Sequence, residues 1–145
     1  MKKLIAISIL SFVSSMSMAA TVTFPEPLTV RAIDGQSQPH SKQIEVAPGQ
    51  HLLELQLFED YSANADESKF IQSKALYWSL TLKNDDAVTV TIPPLLSTRE
   101  AKNFLTNPVI TINSASIKDE SVKLVNHEQL MSIIMKQHNM IMASQ

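Results

Sequence analysis

Only two glycines occur in this chain, Gly35 and Gly49, and each stands between runs of alternating apolar and polar residues. Asp34-Gly35 follows Leu28-Thr29-Val30-Arg31-Ala32-Ile33, and Pro48-Gly49 separates Gln43-Ile44-Glu45-Val46 from His51-Leu52-Leu53-Glu54-Leu55-Gln56-Leu57. Glycine reaches positive φ at little steric cost, so Asp-Gly and Pro-Gly between period-two runs mark turns between strands. Asp34, Gly35, Pro48 and Gly49 are therefore read as structural turn positions.

The period of two continues downstream. Val22 and Phe24 alternate with threonines until Pro25-Glu26-Pro27, and Leu76, Trp78, Leu80 and Leu82 alternate with Tyr77, Ser79 and Thr81. Asn84-Asp85-Asp86 then leads into Val88, Val90 and Ile92, which reads as an antiparallel hairpin. Phe58 to Ser68 breaks the pattern with a polar, acidic connection that holds Glu59, Asp60, Asp66 and Glu67. Without a turn glycine or alternating oxygen ligands it does not read as a calcium loop. Pro93-Pro94 ends the sheet run, and Ser97-Thr98-Arg99-Glu100 has capping-box spacing for a short helix near 98–106 that stops at Asn107-Pro108. Val109, Ile110 and Ile112 resume strand character, and an amphipathic segment from about Asn126 to Ala143 closes the chain. The expected class is mainly β: an antiparallel, sandwich-like domain with that short helix and a C-terminal amphipathic helix.

Lys2 and Lys3 precede an apolar run from Leu4 to Val13, and Ser17-Met18-Ala19 offers the small residues a signal peptidase reads. The run is well short of the ~20 residues a spanning helix needs. Residues 1–19 are thus read as a signal peptide cleaved after Ala19, which implies a periplasmic or secreted protein with no stable membrane insertion after cleavage. Loss of those 19 of 145 residues leaves 126, enough for one self-supporting core, and takes the formal charge from −2 to −4. A mildly acidic domain with no basic cluster does not suit nucleic acid. The absence of cysteine removes disulfides and thiol chemistry.

The four histidines, at positions 40, 51, 127 and 138, stand beside no nucleophile elbow and no cysteine, so no catalytic residue and no cofactor are assigned. At about 100° per residue, His127, Met131, Met135, His138 and Met142 lie within about 80° on a helix. Such a soft ligand set is a weak candidate for Cu(I), whereas Leu130, Ile134 and Ile141 border the same arc and make it read as an ordinary apolar packing face. Trp78 reads as core, and Tyr77 on the opposite face is a candidate for stacking on a sugar.

The order of Leu28 to Gly35, Ile44-Glu45-Val46, Gly49-Gln50-His51 and the Leu53 to Leu57 strand resembles the small secreted family typified by the enterobacterial curli modulator CsgI (formerly YccT). So does the string Arg99-Glu100-Ala101, Phe104, Pro108 and the following Val109-Ile110-Thr111-Ile112. The resemblance covers about Thr21 to Leu124. It implies a layout of signal peptide 1–19, β-rich family domain 20–124 and helical tail 125–145, with the usual C-terminal segment of longer members absent. It also implies an exported, non-enzymatic protein that restrains polymerisation of an amyloid subunit. Pairing of an open strand edge with an extended polypeptide supplies a mechanism, with Thr21 to Phe24 and Val109 to Asn113 as the expected edges. The alternative is a periplasmic or envelope binding module for glycan or protein partners.

Overall fold

The computed structural model describes residues 18–145; the expected signal peptide lies outside them except for Met18 and Ala19. Ten strands and two helices follow in the order β1 (Ala20–Thr23), β2 (Leu28–Ile33), β3 (Gln36–Ser37), β4 (Gln43–Val46), β5 (Gly49–Asp60), β6 (Phe70–Gln72), β7 (Leu76–Leu82), β8 (Ala87–Thr91), α1 (Thr98–Thr106), β9 (Val109–Asn113), β10 (Glu120–Lys123) and α2 (His127–Ala143). The fold is mainly β, as the alternation requires, with the strands gathered into two sheets.

One sheet runs β10-β9-β8-β1-β4, and the other is built around the long strand β5. On one side of β5 lie β2 and then β3; on the other, β7 pairs with its first half and β6 with its end. Ser73 fills the gap where β5 changes partner: its N–H donates to Leu57 O at 2.9 Å, and its Oγ accepts from Leu57 N at 2.9 Å. That duty explains why Ser73 is the buried polar residue of the core. Pairing is antiparallel except between β1 and β8, where Thr21 to Thr23 lie parallel to Ala87 to Thr89. The inward residues of both sheets, among them Leu53, Leu55, Leu57, Val22 and Ile110 at zero exposure, form one core.

Asp34 (φ +52°) and Gly35 (φ +80°) make the two-residue, positive-φ turn that joins Ile33 to Gln36 in a β2–β3 hairpin. Pro48-Gly49 makes a different connection. There the chain leaves β4 in the first sheet and enters β5 in the second, with Gly49 at φ +127°. The expected hairpin between Leu76 to Leu82 and Val88 to Ile92 is corrected in the same way. Asn84-Asp85-Asp86 does turn the chain, but β7 pairs with β5, and β8 pairs with β1 and β9 in the opposite sheet. Both strands carry one dry face, and an arch between sheets sets those faces against each other where a hairpin would align them side by side.

The polar connection is shorter than expected, because β5 runs on to Asp60 and pairs with β6. Both helices fall where expected, with different caps. Ser97 Oγ accepts from Glu100 N at 3.3 Å, while the Glu100 carboxylate accepts from Leu96 N at 2.6 Å, one residue before the position a full capping box uses. The complete box belongs to α2, where Asn126 Oδ1 accepts from Gln129 N at 2.9 Å and Asn126 N donates to Gln129 Oε1 at 3.0 Å.

His51 ties the two turn regions together. Nδ1 donates to Asp34 Oδ2 at 2.7 Å and Nε2 to the Ala47 carbonyl at 2.7 Å, while Asp34 Oδ1 accepts from Leu52 N at 2.8 Å. Two acceptors require two N–H groups, so the clamp is complete in the imidazolium form. Its hydrogen bond to Asp34 raises the His51 pKa above the ordinary 6.5, and the Leu52 amide, then His51, lower that of Asp34 below 3.8. The His51 contribution is full below pH 6.5 and is lost as pH rises through the raised value; the Asp34 contribution is full above pH 3.8 and is lost as pH falls through the lowered one. His51→Gln is therefore expected to lower the melting temperature most at about pH 5–6 and progressively less on either side. Melting curves of both proteins from about pH 3 to 9 check this, and a gap independent of pH would contradict it.

Candidate functional site

The sheets do not close on each other along the side formed by β7 and β10. At one end of this seam the chain leaving β10 is stitched to β7: Tyr77 N donates to Val125 O at 2.8 Å, and Val125 N donates to Tyr77 O at 3.1 Å. Outward main-chain groups recur at every second residue of a strand, so Ser79 and Thr81 direct their N–H and C=O to the same side as Tyr77. No strand pairs with β7 there among the described residues.

Two cavities occupy the seam. One, of about 310 Å³, runs under Trp78 to Leu82 toward Ile112, Ile117 and Glu120; the other, of about 400 Å³, lies between Leu52, Trp78 and Val125 and the first turns of α2. Trp78, Ser79 and Val122 line both, so they form one groove along the free edge. Trp78 is only 4% exposed, in agreement with its reading as core, and serves as the floor. Leu130, Ile133 and Ile134 supply a wall from the helix side. The arrangement offers main-chain hydrogen bonding beside an apolar trough, which suits an extended chain with alternating apolar side chains.

The edges expected from chain order are not edges. β1 lies between β8 and β4, and β9 lies between β10 and β8, because sequence order does not give order within a sheet. The groove-lining β10 carries little strand signal in Glu120-Ser121-Val122-Lys123, and β7 reads as an interior hairpin strand until its partners are known. The only signal for the seam is the alternation of Trp78 with Ser79 and Thr81.

α2 departs from the expected packing face, since none of its residues is buried. Its methionines and isoleucines are 39–65% exposed, and Leu130 is more covered than these. His127, Met131, Met135, His138 and Met142 do share a stripe, yet at 1.5 Å per residue the two histidines lie about 16 Å apart along the axis. The five form a row and do not close around one ion. Tyr77 is half-buried, its ring 6.3 Å from that of His127, so it presents no open stacking face.

A second cavity system lies on the outer face of the β5 sheet. Phe58 and Phe70, half-exposed with ring centroids 5.8 Å apart, flank a depression of about 310 Å³ lined by Thr29, Arg31, His40, Gln56, Phe58 and Gln72. The register of β2 against β5 slips between Val30 and Ala32, which makes Arg31 the extra residue of a bulge. Its Nη1 donates to His40 Nε2 at 2.6 Å and to Gln56 Oε1 at 3.2 Å. The family string is structural: Ala101 and Phe104 are buried on the inner face of α1, Glu100 caps the helix, and Pro108 O accepts from Leu124 N at 2.8 Å; Arg99 is exposed.

Fold and seam together define a small β-sandwich with one unpaired strand edge opening onto an apolar groove. The chain belongs to the bacterial family described as "Uncharacterized protein conserved in bacteria (DUF2057)", whose model matches residues 21–141. The match runs past Leu124 through most of α2, so the helical tail belongs to the family layout and is not an appendage outside it. No curated protein and no solved structure matches the chain. No helix among the described residues is long and apolar enough to cross a membrane.

Proposed function

We propose that this is an exported, non-catalytic protein that captures an extended polypeptide as an added strand along β7, and thereby restrains polymerisation of an amyloid subunit. The observation that carries the reading is the outward main chain of Ser79 and Thr81 beside the groove floored by Trp78. A subunit whose edge is capped in this way cannot template the next one. The resemblance to the curli-modulator family supports the choice of partner. The lag time of curli-subunit assembly is expected to lengthen at equimolar protein, and Thr81→Pro is expected to abolish the effect. The Thr81 N–H points away from β5, so the proline removes an edge donor without taking a bond from the β5–β7 ladder. An unchanged lag with the unmodified protein would sink the reading.

A second reading is favoured by the outer-face depression: exposed Phe58 and Phe70 beside the Arg31, His40 and Gln56 network suit a saccharide, ring face on the aromatics and hydroxyls on the polar groups. This moves the glycan alternative from Tyr77 to Phe58. A flat glycan-array response, together with no envelope protein recovered by pull-down, would count against a binding module of this kind.

A further inference from the structure

Arg31 is held in a fixed position for which the fold itself has no use. It is the extra residue of the β2 bulge, and its side chain lines the depression on the outer face of the β5 sheet with Thr29, His40, Gln56, Phe58 and Gln72. Nη1 donates to His40 Nε2 and to Gln56 Oε1, and the Gln56 amide is fixed at its other end, where Nε2 donates to the carbonyl of the buried Ser73 at 3.0 Å. The guanidinium is thereby anchored to the core. Both hydrogens of Nη1 are spent on these bonds, whereas Nη2 and Nε have no partner among the described residues. Those two nitrogens make the planar fork that receives a carboxylate through parallel hydrogen bonds.

The charge of Arg31 is also unanswered. No carboxylate pairs with it among the described residues, and no acidic residue lines the depression, although the chain holds more acidic than basic residues. The acids around this face are engaged elsewhere. Glu26 pairs with Lys42, and Asp60 Oδ1 accepts from Ser62 N at 2.9 Å. Glu54 stands opposite Tyr77 of β7, where burial and, after it, the Glu54 charge raise the pKa of the tyrosine hydroxyl.

We propose that the depression binds a uronic acid residue of an acidic polysaccharide, with the sugar carboxylate on the Nη2–Nε fork of Arg31 and the apolar face of the ring against Phe58. The proposal rests on the saccharide reading of this depression and adds to it the charge of the sugar. One anchored guanidinium matches the one carboxylate that each uronate ring carries, and a planar fork fits a planar carboxylate. Phe58 and its neighbour Phe70, with ring centroids 5.8 Å apart, supply the apolar platform beside that cation. Thr29 and Gln72 stand at the rim, where a hydroxyl and an amide can meet ring hydroxyls.

Titration calorimetry of the purified protein with oligosaccharides of galacturonate, glucuronate and mannuronate, each also in a form whose carboxylates are reduced to hydroxymethyl groups, tests the proposal. At least one uronate is expected to bind, and its reduced form to bind about tenfold more weakly or worse. Arg31→Gln is expected to cost the acid form the same factor at an unchanged melting temperature, since the side chain is exposed. Arg31→Lys keeps the charge and gives up the fork, so it is expected to recover only part of the loss. Phe58→Ala is expected to weaken the acid and the reduced form alike. A reduced form that binds as tightly as the acid, or an Arg31→Gln protein that binds as the parent does, would overturn the carboxylate and leave the saccharide reading standing. No binding of any sugar, acid or reduced, would overturn both. A sulfated oligosaccharide or a glutamate oligomer that binds more tightly than every uronate would overturn the proposal in favour of a general anion site.

Discussion

Replacing Leu55 by alanine is expected to destabilise the protein by about 2–5 kcal/mol, the cost of deleting a fully buried leucine and leaving a cavity that closes only in part. Leu55 lies at the middle of β5, opposite Val30 of β2 and Leu76 of β7, and has no exposed surface. It sits where the second sheet meets the first, so neighbours on three sides are held by their own ladders and have little freedom to collapse inward. For a domain of this size the loss corresponds to a fall in melting temperature of roughly 8–20 °C. Phe58→Ala, three residues along the same strand on the wet face, is the control: it starts 47% exposed and should cost less than about 1.5 kcal/mol despite the larger side chain removed. Chemical denaturation of the three proteins settles the comparison. Equal losses at Leu55 and Phe58 would mean that the two faces of β5 are not distinguished as described.

Gly49→Val is expected to cost about 1–3 kcal/mol through backbone strain alone. A Cβ at Gly49 would meet no atom within 4 Å, so space does not oppose the substitution. The backbone does, because φ of +127° is a conformation that side-chain-bearing residues rarely adopt. Gly49 opens β5 opposite Leu82, immediately after the chain crosses between sheets, and a valine must either bear the strain or pull that corner apart. Gly35 gives the matching contrast. Its φ of +80° also excludes a β-branched residue, yet asparagine tolerates the left-handed region, so Gly35→Asn should retain most of the stability that Gly35→Val loses. Four melting curves test this, and a Gly49→Val protein as stable as the parent would rule out the strain.

Much of this architecture is legible in the chain. Alternation placed β2, β5 and β7, the Ser97 signal and Asn107-Pro108 bounded α1, and Asp34-Gly35 marked a true hairpin. What the residues withheld was pairing. Pro48-Gly49 and Asn84-Asp85-Asp86 look like hairpin turns, but both carry the chain from one sheet to the other, because a turn specifies reversal and not the neighbour that follows. β3 and β10 escaped because they are short and largely polar, and β6 because its three residues are too few to show a period. The groove was hidden for the same reason: Ser79 and Thr81 form a free edge only once β8 is known to lie in the opposite sheet.

By itself, the sequence determined the class of fold, the positive φ of its two glycines, and which face of the alternating strands is dry, since these follow from local sterics and period-two hydropathy. Only the tertiary structure decided which strands are edges, that β7 opens onto a groove beside Trp78, and that the Met and Ile residues of α2 lie uncovered. Helical periodicity states that a residue is apolar and on which side it lies. Whether anything stands on that side is a property of distant segments, whose arrangement is selected by burial of the whole core at once.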